Sequence, residues 1–167
     1  MDLKGMRDLE VDVLIAIFEK ETQLGRSFGK SNRPENFNTE LFNIMKHLRI
    51  LVDNETIKNG DIRTAIKTLK ERTGASIGQS QKVINVYLKF YSLISNKNEN
   101  VLKELDCPLD STIFRELGVK QNNMRNLNEF SKYEKLQAEC EKRAGIKILF
   151  DAKYGKKRLE RFLGKLD

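Results

Sequence analysis

Apolar residues recur three and four positions apart along almost the whole chain, the spacing that gathers side chains on one face of an α-helix. Alternation of the strand kind is confined to Ile146-Lys147-Ile148-Leu149-Phe150. The pattern therefore predicts an all-α protein of about seven to eight helices. A first helix is expected from about Asp8 to Glu21, burying Leu9, Val13 and Ile17, and a polar loop over 25–38 follows it. Thr39 reads as the N-cap of a helix that carries Leu41, Phe42, Met45 and Leu48 and stops at Asp53-Asn54. Asp61 caps the next, which buries Ile62, Ala65, Ile66 and Leu69 and closes at Thr73-Gly74 through a left-handed residue.

The segment from about Gly78 to Asn96 is apolar around most of its circumference, with Val83, Ile84, Tyr87, Leu88 and Tyr91 among its residues. Such a helix must be packed on several sides and is expected at the centre of the fold. A Lys- and Asn-rich connection leads through a short turn at 101–105 to Cys107-Pro108-Leu109-Asp110-Ser111. Pro108 ends one segment, and Asp110 or Ser111 can accept hydrogen bonds from the open amides of a helix that carries Ile113, Phe114 and Leu117 and ends at Gly118. A long amphipathic helix is expected over about Leu127–Arg143, and Asp151 as the cap of a last, basic helix reaching Leu166. With no internal repeat, residues 1–167 read as one domain. Two lobes are expected within it: 1–73 with the C-terminal helices, and 74–126 with the Gly78 turn and the Asp110 helix.

Charge changes the picture in one respect. The net charge is +7, and from Gly118 onward thirteen Lys or Arg face only seven acids, so the C-terminal third is the electropositive end. A polyanion is the first partner to consider, with Lys156, Lys157, Arg158 and Arg161 as phosphate contacts. A solvated helix face is the plainer reading of the same residues. The two cysteines, Cys107 and Cys140, lack the spacing of a disulfide framework or a metal clamp, and no apolar run reaches membrane-spanning length. A reducing, cytoplasmic location is expected, with no membrane partner.

The residue inventory narrows the chemistry. A single histidine, His47, excludes a multi-histidine metal site and a Ser-His-Asp triad built elsewhere, and no glycine-rich nucleotide loop is present. No metal and no cofactor are expected, which leaves carboxylate chemistry. Asp110 is first a helix cap, and a capping acid at a helix mouth can also serve a reaction. The turn Gly74-Ala75-Ser76-Ile77-Gly78-Gln79-Ser80-Gln81 enters the central helix, where unpaired amides and the helix dipole favour phosphate. Ser76, Ile77, Gly78, Gln79, Ser80 and Lys82 are therefore candidate contacts to a DNA backbone, with an ordinary interhelical turn as the alternative. Tyr87 and Tyr91 could stack on an extruded base, although their helical spacing on a buried helix suits core packing better.

Taken together, the Ile77-Gly78 turn and the later Pro108-Leu109-Asp110-Ser111-Thr112-Ile113-Phe114-Arg115 resemble the helix-hairpin-helix DNA glycosylases of the endonuclease III superfamily. That family carries a Leu-Pro-Gly-Val-Gly hairpin opening a helix, then Pro-Val-Asp-Thr-His-Val followed by an Arg and a Leu-Gly. Pro108, Asp110, Ile113, Arg115 and Leu117-Gly118 echo the second motif and Gly78 the last hairpin glycine, over about forty-five residues, 74–118. The resemblance implies that Asp110 is the catalytic aspartate of a base-excision enzyme, which cleaves the N-glycosidic bond of a damaged or mispaired base flipped out of double-stranded DNA. It also implies that the turn grips the phosphates flanking the lesion. Ser76 stands in place of the first hairpin glycine and Thr112 in place of the histidine. The family's Schiff-base lysine falls on Ser80, and Lys82, two residues on, lies on nearly the opposite helix face, so hydrolysis without a lyase step is expected. The rival readings are a non-catalytic helical DNA-binding or protein-interaction domain with Asp110 as a cap alone, and a helical adaptor without nucleic acid. A monomer is expected in each.

Overall fold

The computed structural model describes residues 33–120 and 124–154, and the structural statements below concern these. The helix expected over 8–21 and the basic residues Lys156, Lys157, Arg158 and Arg161 lie outside them. Every regular element among the described residues is helical, and the protein is all-α.

Helix α1, Phe37–Asp53, turns Phe37, Leu41, Ile44, Met45, Leu48 and Val52 inward. It begins two residues before Thr39, behind Asn36, whose side-chain amide donates to the Arg72 carbonyl at 3.0 Å instead of capping. His47 is exposed on its outer face. Helix α2, Asn59–Thr73, likewise starts ahead of its expected cap: Asp61 sits in the first turn and reaches back to accept from the Lys58 amide at 2.8 Å. Its end is the one expected, with Gly74 at φ 73°, a left-handed conformation that costs glycine nothing.

Helix α3, Ile77–Ile94, is the axis of the fold. Every residue from Ala75 to Leu88 is buried. Helices α1 and α2 pack along it, and further contacts come from α4 (Glu99–Glu104), from a 3₁₀ turn at Met124–Asn126 and from α6 (Phe130–Ala144). Between α4 and α6 lies the short α5, Ser111–Glu116, which ends with Gly118 at φ 75°. The buried apolar residues form one cluster running from Phe37 to Tyr154, so the two lobes expected from the sequence share a single core in the described residues.

The C-terminal part departs from expectation. Residues 147–154 are helical (α7), and the alternating stretch belongs to this helix from Lys147 onward, not to a strand, with Ile146 in the bend just before it. Lys147, Ile148, Phe150, Asp151 and Tyr154 are buried, a one-sided helical set that the short alternation of Ile146, Ile148 and Phe150 concealed. Asp151 consequently lies within α7 rather than at its mouth, and its carboxylate pairs with the Lys89 ammonium of α3.

Candidate functional site

Residues 105–110, between α4 and α5, run as an extended strap. Pro108 disfavours helix for Cys107 before it and offers no N–H of its own, so the peptide groups on either side need partners from outside the segment. Two buried glutamines supply them. Gln137 of α6 accepts from the Cys107 amide at 2.8 Å and donates to the Cys107 carbonyl at 2.8 Å. Gln81 of α3 accepts from the Leu109 amide at 3.0 Å and donates to the Leu109 carbonyl at 2.7 Å. Each side-chain amide thus exchanges two hydrogen bonds with one residue, as a facing residue does in an antiparallel ladder. Proline occupies the alternate position, where no N–H is lost.

A carboxylate stands at each end of the strap. Asp106 is wholly buried. Its Oδ1 accepts from Asn59 Nδ2 and lies against Lys147 Nζ, both at 2.7 Å, while Oδ2 accepts from the Tyr133 hydroxyl at 2.6 Å. Asn85 donates to the same Tyr133 oxygen at 3.0 Å and to Gln81 Oε1 at 3.2 Å, which ties the acid to the glutamine clamp. Asp110 is the N-cap of α5: Oδ1 accepts from the Thr112 and Ile113 amides at 2.9 and 3.0 Å. Its Oδ2 lies 3.1 Å from Lys82 Nζ, with 17% of the Asp110 side chain and 8% of the Lys82 side chain exposed. Asp110 is thus the more open member of the pair.

Lys82 does turn away from Ser80, as the helical spacing requires, and the face it turns to is the one that meets Asp110. The other residues singled out from the sequence are placed differently. Ser76 caps α3 by accepting from the Gln79 amide at 3.0 Å, and Gln79 returns a bond to the Ser76 amide at 2.9 Å. The Gly78 amide donates to the Leu127 carbonyl at 2.9 Å, and Ser76 Oγ donates to the Met124 carbonyl at 3.1 Å. Ile77 and Ser80 are buried. The amides at 76 and 78–80 are therefore hydrogen-bonded within the chain, and the 124–127 segment covers the turn. Tyr87 and Tyr91 form a stacked pair in the core, ring centroids 5.8 Å apart. Tyr91 donates to Asp53 Oδ1 at 2.6 Å and accepts from Arg49 Nε at 3.0 Å. It lies about 13 Å along the axis from Lys82.

The sequence reading passed over Asp106, Gln137, Tyr133, Lys147 and Lys89. One signal was present: Gln81, Lys82, Asn85, Lys89 and Ser92, three and four residues apart, form a polar stripe along the most apolar helix of the chain. Such a stripe inside a buried helix must meet polar partners.

Two buried groups bring a pH dependence. The Cys140 thiol hydrogen-bonded to it, together with burial, pushes the Cys107 thiol well above its ordinary 9.0. Burial and the adjacent Asp106 push the Tyr133 phenol well above 10.0. In the unfolded chain both groups release their protons at the ordinary values, whereas the folded chain retains them, so this contribution to stability is complete below pH 9 and is lost as the pH rises beyond it. Urea denaturation between pH 7 and 11 should show a midpoint that falls on the alkaline side. A midpoint unchanged up to pH 11 would contradict this.

Among the described residues, no helix is long and apolar enough to cross a membrane, and no group of three or more His, Cys, Asp or Glu residues could hold a metal ion. No family model, no curated protein and no solved structure matches the chain.

Proposed function

We propose that this chain binds double-stranded DNA and that Asp110 serves a base-excision glycosylase-type site, with Lys82 beside it. The observation that supports the reading is the Lys82–Asp110 pair. A carboxylate is fixed at a helix mouth by two amides, keeps part of its surface open and is held 3.1 Å from an ammonium group. Cleaving an N-glycosidic bond builds positive charge on the deoxyribose, and a preorganised carboxylate stabilises that charge without reorganising. The resemblance puts the family's lysine at Ser80, whereas here the amine next to the acid belongs to Lys82. Phosphate contact falls to the basic C-terminal third rather than to the amides at 76 and 78–80, which the chain itself occupies.

A panel of duplexes carrying 8-oxoguanine, uracil, mismatched thymine or alkylated purines, followed by alkali to reveal abasic sites, tests this. Asp110→Asn keeps a capping side chain but removes the charge, and should lower base release by roughly 100-fold or more while DNA retention and the circular dichroism spectrum persist. Borohydride trapping of a Lys82–DNA adduct would show the amine, rather than water, attacking the sugar.

The non-catalytic reading is favoured by a different observation: both Asp110 oxygens already have partners within the chain. It requires salt-sensitive DNA binding with no base released from any duplex. Absence of DNA retention even at low salt would leave only the adaptor.

A further inference from the structure

Lys82 and Asp110 are held in register by their neighbours. Gln81 grips Leu109 and Lys82 meets Asp110, so a single step along α3 matches a single step along the strap. The grip itself fixes which strap residue faces the ammonium. We infer that Gln81 is a positioning residue that sets the Asp110 carboxylate against the Lys82 ammonium, with Gln137 anchoring the other end of the same strap. The inference rests on the reading of Asp110 as a site residue only for its consequence on activity.

Glutamine suits this task because its amide carries a donor and an acceptor in one plane, like the peptide group it faces. Both glutamines are buried, so a peptide group released by either would have no water to turn to. Gln81 is itself fixed: Nε2 also donates to the Gly78 carbonyl at 3.0 Å, and Oε1 also accepts from Asn85. A one-residue slip of the strap would break both grips at once and would bring Leu109 to Lys82. The clamp therefore excludes the neighbouring register as well as stabilising the observed one.

The test uses Gln81→Met, which keeps the volume of the side chain and removes both bonds to Leu109. Acetic anhydride labelling of folded full-length protein, read by mass spectrometry, should show Lys82 labelled about tenfold more than in the wild type, relative to exposed Lys135, a factor that one net hydrogen bond represents. Lys89 and Lys147 should stay protected. Base release should fall in kcat with DNA affinity retained. Unchanged Lys82 labelling in a folded variant overturns the inference. Should the variant not fold, hydrogen exchange on the wild type decides: the Leu109 and Cys107 amides are expected among the slowest of the core, and exchange at loop rates overturns the clamp. Increased Lys82 labelling in a protein whose wild type releases no base leaves the clamp standing and removes the glycosylase reading alone.

Discussion

Replacing Asp106 by alanine will lower the free energy of unfolding by about 3–5 kcal/mol, the cost of removing one partner from a buried charged pair. The carboxylate has no exposed surface, and it takes up the Tyr133 hydroxyl, the Asn59 amide and the Lys147 ammonium. Its removal strands a lysine whose side chain is 7% exposed, leaves the Tyr133 phenol without its acceptor and leaves the Asn59 amide with the Glu104 carbonyl alone. Asp106→Asn keeps the shape and part of the hydrogen bonding but still leaves Lys147 without a counter-charge, so an intermediate loss is expected. A domain of ordinary stability has only about 5–15 kcal/mol in all. Urea denaturation with an unchanged slope would measure the effect as a shift of midpoint. A loss below about 1 kcal/mol would mean that Asp106 is not the hub of the network.

The parts of this fold that could be read from the sequence are those whose causes are local. Gly74 and Gly118 end helices in left-handed conformations because the helix C-terminus itself asks for that geometry. Asp110 caps α5 because an acid two residues after Pro108 meets the open amides of the next turn. The central place of α3 followed from apolar residues around most of its circumference. What could not be read depends on partners distant in the chain. Nothing near Asp106 announces that Lys147 and Tyr133 will reach it, and nothing near Lys89 announces Asp151. The local signals also compete: Asp151 follows an alternating stretch and looks like a cap, yet its burial beside Lys89 places it inside α7. The same holds for the candidate site. Asp110 was legible as a capping acid, whereas the approach of Lys82 depends on the strap's register against α3, set by Gln81 across 28 positions of sequence.

Gly78→Ala should destabilise the protein by about 3 kcal/mol, at or above the upper end of the usual range for overpacking. A Cβ built there would lie 2.0 Å from the Met124 carbonyl oxygen and 2.8 Å from its carbon. These atoms are backbone, so no side chain can rotate away, and the 124–127 segment would have to lift, breaking the Gly78 amide bond to Leu127. In an unobstructed helix the same exchange favours alanine by up to about 1 kcal/mol. Gly60 provides that comparison within this protein, since it lies in α2 with nothing within 4 Å of its Cβ position. Gly60→Ala should therefore be neutral or mildly stabilising in the same urea titration. The contrast bears on function, because a glycine at a helix mouth can admit either a phosphate or the chain's own backbone. A large penalty at Gly78 with none at Gly60 assigns this glycine to the chain's own carbonyls. Equal, mild effects at the two positions would mean that the 124–127 segment is not seated in solution, and the α3 amides would then be open to a DNA backbone.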